Sequence, residues 1–216
     1  MLKNIILCAV VMVLAHAPAY AAPADQPKTG QTKCYDAAGA VISCATTTGQ
    51  GQDGALQRGV AWPGTRFTVV SSNTVTVVAD NLTGLMWPQD GGTPTISICT
   101  GGTATWQQAL DYVACLNTHH YLNYNDWRLP NVNELESLVH AGYNEVICAA
   151  PSTSCTTNAA WLNTQGFSNV LADNYWSSTT FAGGTSFAWY IYMVDGDVGN
   201  TPKTISFSVW PVRSGQ

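Results

Sequence analysis

Apolar residues fall into short, distinct patterns along the chain. Phe67-Thr68-Val69-Val70 and Thr74-Val75-Thr76-Val77-Val78 are β-branched runs joined by Ser71-Ser72-Asn73, which predicts a hairpin. Asp80 to Gly84 reads as a turn, and Leu85-Met86-Trp87 as a third short strand. From Thr105 to Asn117 the period changes to that of a helix. Trp106, Ala109, Leu110, Val113 and Leu116 share one face, and Thr105 with Gln108 has capping-box spacing. A second helix is predicted to start at Asn131, boxed by Glu134, with Val132, Leu135, Leu138 and Val139 inward and Gly142 as terminator. Beyond a cysteine-bearing loop come Tyr175-Trp176-Ser177-Ser178-Thr179 and the run Phe187 to Met193. A turn at Asp195-Gly196-Asp197 and a strand from Ile205 to Val212 follow. In the run, Phe187, Trp189, Ile191 and Met193 alternate with Ala188, Tyr190 and Tyr192, predicting the first set inward and the tyrosines outward. Two helices between a leading hairpin and trailing strands give an α+β class, with the domain's termini paired in one sheet.

The regions before Phe67 differ. Residues 1–22 carry Lys3, an apolar run from Ile5 to Ala15 and a small-x-small site at Ala19-Tyr20-Ala21. That is a signal peptide, too short for the roughly 20 residues of a membrane-spanning helix. The chain is therefore expected to be secreted, periplasmic or at the cell surface, with no membrane span. Residues 23–66 read as a flexible leader to 33, then a Gly/Thr/Gln-rich stretch with a small cysteine loop. The domain proper is expected over 67–216.

Charge narrows the partners. Charged residues are 10% of the chain, against about 25% in ordinary soluble domains. Loss of Lys3 leaves 7 basic and 13 acidic residues, net −6. With no basic stripe, nucleic acid is excluded as a partner. Six cysteines remain after the signal: Cys34, Cys44, Cys99, Cys115, Cys148 and Cys155. An even count behind a signal peptide predicts disulfides. Fifteen pairings are open, and the grouping favours neighbours.

Six motifs now stand in order: Asp80 to Trp87, Thr105 to Leu110, Asp126-Trp127-Arg128-Leu129-Pro130, Glu134-Leu135, Tyr175 to Thr179, and Val209-Trp210-Pro211-Val212-Arg213. In this order they resemble the Lcl C-terminal domain family, over roughly 67–213. The resemblance implies a C-type-lectin-like fold with a loop-rich ligand face, and surface binding or adhesion. Similar domains occur as variable proteins of diversity-generating retroelements, diversified toward the C-terminus. The adhesin that names the family uses this domain on sulfated polysaccharides, whereas a net −6 chain favours a neutral glycan or a protein.

The motif residues read first as structure. Trp87, Trp106, Trp127, Trp176 and Trp210 are expected in the core, as is Trp189. Asp126 and Arg128 are expected to pin loops through buried hydrogen bonds, and Arg213 to make a salt bridge. Catalytic chemistry has little to build on. His119, His120 and His140 lack a nucleophile motif, and Glu134 and Glu136 point to different helix faces. Asp195 and Asp197, with Asn200, are weak calcium candidates; otherwise no cofactor is expected. The aromatic, small-polar composition of 181–204 marks the candidate ligand face: Phe181, Tyr190, Tyr192, Asp195, Asp197 and Asn200. The chain thus reads as an exported, non-catalytic binding or adhesion module for a glycan or protein. The alternative is a self-associating subunit of a surface appendage; a secreted hydrolase comes third.

Overall fold

The computed structural model describes residues 26–72, 75–143 and 157–215. The predicted signal peptide, Cys148 and Cys155 lie outside the described residues. The elements are β1 (Cys34–Tyr35), β2 (Val41–Ile42), α1 (Asp53–Leu56), β3 (Phe67–Ser72), β4 (Val75–Asp80), β5 (Leu85–Pro88), α2 (Trp106–Thr118), α3 (Val132–Glu136), α4 (Asn158–Thr164), β6 (Asn174–Thr180), β7 (Phe187–Tyr192), β8 (Val198–Pro202) and β9 (Arg213–Ser214). They form antiparallel sheets in the orders β1-β2, β3-β4-β5-β9 and β6-β7-β8. The class is α+β, and β9 on β5 closes the domain's ends into one sheet, Met86 opposite Arg213.

Both predicted helix starts carry reciprocal capping boxes, Thr105 with Gln108 and Asn131 with Glu134. Each satisfies backbone donors that the first helical turn leaves free. The helix inventory needs correction, however. Four α-helices, not two, and two short 3-10 helices stand among the described residues. Helix α4 falls where a loop was expected. Thr157 caps it through the Ala160 N–H, and it buries Ala159, Trp161 and Leu162. Helix α3 ends at Glu136, so Leu138 reaches the core from a turn that its N–H closes onto the Leu135 carbonyl.

The trailing strands also differ. β8 falls in the unassigned stretch between the predicted turn and the predicted last strand, as an edge strand weak in propensity (Gly199, Asn200, Pro202) and registered by β7. Residues 205–212 form no strand. They thread through single bridges, Ala104 with Phe207, Tyr175 with Ser208 and Arg128 with Val212.

The cause is a core in two parts, with the sheets between them. Adjacent residues are buried on opposite sides: Val78, Trp87, Tyr175 and Trp210 in one cluster, Val77, Met86, Trp176 and Val209 in the other. A strand buried on both faces shows no inside–outside alternation. Trp87, Trp176 and Trp210 are fully buried and Trp127 nearly so. Trp106 is half-buried, its indole N–H bonded to the Ser177 carbonyl.

Two disulfides, Cys34–Cys44 and Cys99–Cys115, match the neighbour grouping. The first ties the lead-in; the second ties the 88–104 loop to α2. The described part of the leader is docked rather than free. The Ala141 N–H bonds to the Thr29 carbonyl, and the Trp62 indole N–H to that of Lys28.

Candidate functional site

The candidate face is built on β7 and the turns at either end of it. A tight turn leads from β6 into β7: the Phe181 N–H bonds to the Phe187 carbonyl, and the Phe187 N–H to that of Gly184. It sets the Phe181 ring edge-on to Trp189, centroids 5.4 Å apart. Gly183 leaves room for that ring, since a Cβ there would lie 2.6 Å from Phe181. Trp189 stands opposite Asn200 across the β7–β8 ladder. Phe181, Phe187 and Trp189 are all half-buried, and Asn200 is exposed.

The expected phase of β7 holds at Ile191 and Met193 and fails in the first half of the strand. The row Phe187, Trp189, Ile191, Met193 is fully buried only at Ile191 and Met193; Trp189 is not a core residue. In the other row Ala188 is fully buried. Tyr190 is not an outward anchor. Its ring meets Phe207 at 4.9 Å and lies over Gly199, where a Cβ would fall 2.5 Å from its hydroxyl. A register shift in β6 between Trp176 and Thr180 accompanies this change. Tyr192 is half-buried, beyond the open end of the row.

The neighbouring turn is capped from within. Asp195 Oδ1 accepts the Asp197 N–H at 3.0 Å, and Gly196 takes the positive φ of 85°. Asp195 and Asp197 belong to no group of three or more His, Cys, Asp and Glu ligands among the described residues; Cys99, Cys115 and His119 form the group found. Two of those atoms are joined in a disulfide.

The motif residues hold the scaffold. Arg213 bonds to Asp126 through Nε at 2.8 Å and Nη2 at 3.1 Å, with its guanidinium 3.9 Å from the Tyr124 ring. Arg128 grips both oxygens of Glu134 at 2.6 Å. The expected burial of Asp126 and Arg128 is not found: their side chains are 49% and 44% exposed.

The model of the Lcl C-terminal domain matches residues 76–213, well over half of the chain. The chain belongs to the Lcl C-terminal domain family. No curated protein matches it. The Lcl C-terminal domain match takes in nearly all of β4 through the first residue of β9, and with them the Phe181–Trp189 turn and Asn200. It leaves out β3 and the lead-in. Among the described residues no helix is long and apolar enough to cross a membrane. The disulfides are compatible with an extracellular location.

Sequence reasoning missed Phe187 and Trp189, because period-2 alternation assigned them inward. It also missed Arg66, a buried cation in a stretch read as irregular. Its signal is its place directly before the first strand, beside Phe67.

Proposed function

We propose that the chain is an exported, non-catalytic binding module of C-type-lectin-like fold that recognises a neutral glycan or a protein at the cell surface. The observation that carries this reading is a half-open face of the β6-β7-β8 sheet. There Phe181 and Trp189 pack edge-on as an aromatic step, with half-buried Phe187 two positions earlier on β7, beside the exposed Asn200. Such a step offers stacking area at little entropic cost, while the amide both donates and accepts. Recognition rests on shape and neutral hydrogen bonds, so binding depends weakly on salt and needs no metal.

A glycan array and a surface-protein pulldown with the signal-free chain test it. Phe181→Ala with Trp189→Ala is expected to abolish capture while the melting temperature holds. Capture that persists in this variant, or is lost on chelation of calcium, rejects the reading.

The alternative, a self-assembling surface subunit, is favoured by β3. That strand is six residues long, uncharged and at the sheet edge, with Val69 and Val70 about two-fifths exposed. An uncharged free edge of this length is a template for strand pairing. Concentration-dependent association that Val70→Lys removes would select it.

A further inference from the structure

A second feature lies where the lead-in meets the domain. A cleft of about 640 Å3 opens there, lined by Lys28, Trp62 and Arg66 from the lead-in and by Thr83, Asn133 and Glu136 from the domain. The first three residues precede the family match and the others fall within it, so the cleft exists only because this lead-in docks. Its volume is within the roughly 300–1,000 Å3 that small-ligand sites span.

Arg66 gives the cleft its chemistry. Its side chain is 4% exposed and paired with the fully buried Asp80. Nε and Nη2 reach the two oxygens of Asp80 at 3.3 and 3.1 Å, and Nη2 also donates to the Ser137 carbonyl. The guanidinium carbon lies 4.5 Å from the Trp62 ring and 4.6 Å from the Phe67 ring. Nη1 has no hydrogen-bond partner among the described residues. A buried guanidinium with an idle nitrogen is costly, and buried polar groups as a rule find an acceptor. Asp80 cannot supply it, because its oxygens already take the Leu82 N–H and the Thr83 hydroxyl besides Arg66.

We propose that this cleft is a second binding site, for a neutral saccharide unit, whose oxygen completes the hydrogen bonding of Arg66 Nη1. The charge count excludes an anion. Arg66 is already neutralised by Asp80, and a second carboxylate beside Asp80 would meet a like charge in a poorly solvated place. Lys28 and Glu136 balance each other at the rim. The wall instead offers groups that suit hydroxyls, which donate and accept at once. Asn133 and Glu136 are exposed on α3, and among the described residues no hydrogen bond uses their side chains. Nη1 is sealed from solvent in the unliganded chain, so the proposed contact requires the lead-in wall to shift when the sugar binds.

Saturation-transfer NMR of the signal-free chain with cellobiose, lactose and N,N′-diacetylchitobiose tests this, with glucuronate as the anionic control. At least one neutral disaccharide is expected to bind. Asn133→Ala with Glu136→Ala should weaken it about tenfold or more at unchanged melting temperature. Arg66→Lys, which keeps a cation for Asp80 but removes Nη1, should weaken it likewise. The Phe181→Ala, Trp189→Ala variant should bind as before, which separates this site from the aromatic face. Absence of binding by all these sugars, indifference to the rim variant, or tighter binding of glucuronate overturns the proposal.

Discussion

Arg213 and Asp126, 87 positions apart, are joined by two hydrogen bonds of 2.8 and 3.1 Å, and the pair is lopsided. The Arg213 side chain is 9% exposed and that of Asp126 49%. Removing either partner therefore has different consequences. Asp126→Ala leaves a buried cation without its anion and is expected to cost about 2–3 kcal/mol. Arg213→Met keeps the packing on Tyr124 and frees a carboxylate that water can reach, so about 1 kcal/mol is expected. Urea unfolding of both variants checks the order; equal losses would mean that the ion pair is not what holds β9.

Acid should weaken the same region. The hydrogen bonds from Arg213 hold the Asp126 carboxyl below the usual range, against partial burial. Burial pushes Glu134 up, but hydrogen bonds from Arg128 and the Asn131 N–H outweigh it and leave it lowered. A carboxyl lowered in the folded state stabilises fully above its unfolded pKa, about 4, and that stability is lost as pH falls through the folded value. The urea midpoint should therefore fall as pH drops below about 4, with a smaller fall in Glu134→Gln. An identical acid profile in that variant would remove Glu134 from the account.

Trp127→Ala should unfold the domain. The side chain is 2% exposed, its indole N–H bonds to the Tyr121 carbonyl, and its backbone is held through the Asn117 side chain. Truncating a buried Trp costs about 3–5 kcal/mol, against a total of about 5–15. Circular dichroism on the variant would show a lost or sharply lowered transition.

Local rules were readable where they act alone. The two capping boxes, the β3–β4 hairpin and the pairing of chain ends needed only neighbours in sequence or a simple parity. What was not readable depended on tertiary context. Helix α4 has one short apolar stretch, Ala159 to Leu162, too little for a periodic signal. The β7 phase failed in the first half of the strand because its sheet lies between two cores, so burial followed position along the strand instead of side-chain parity. Tyr190 turns inward because Phe207 and Gly199, which no local pattern links to it, make a slot for its ring. Arg66 was invisible as a site because its partner Asp80 reads as a turn residue.

The two disulfides should differ in reach. Cys99–Cys115 closes a loop of sequence separation 16 against buried α2, and its removal should cost about 3 kcal/mol of global stability. Cys34–Cys44, separation 10, closes a loop in the lead-in. Cys34→Ser with Cys44→Ser should loosen that segment to proteolysis with little change in the melting temperature of the remainder. A global loss in both double variants would show that the lead-in and domain unfold as one unit.

His140 should make lead-in docking sensitive to pH. Its ring packs against Trp62 at 4.8 Å and Trp161 at 4.7 Å. Gly30 lies so close that a Cβ there would be 2.6 Å from the imidazole. His140 Nδ1 accepts the Gly142 N–H at 3.0 Å, a bond available only to the neutral ring. Burial lowers the His140 pKa, the charge of Arg66 adds to this, and a backbone hydrogen bond opposes it. A histidine lowered in the folded state binds its proton more readily when unfolded. Its stabilising share is therefore full above the unfolded value of about 6.5 and is lost as pH falls through that value toward the folded one. Protonation also sets a cation beside Arg66 and turns Nδ1 into a donor facing an N–H. Between about pH 7.5 and 5 the lead-in should undock before the core melts, seen as a red shift in the emission of Trp62 that a Trp62→Phe control lacks. His140→Phe keeps an aromatic in the slot and cannot titrate; it should lower stability by a constant amount and flatten the shift. An unchanged pH profile in that variant would assign the effect to other groups and leave His140 as packing alone.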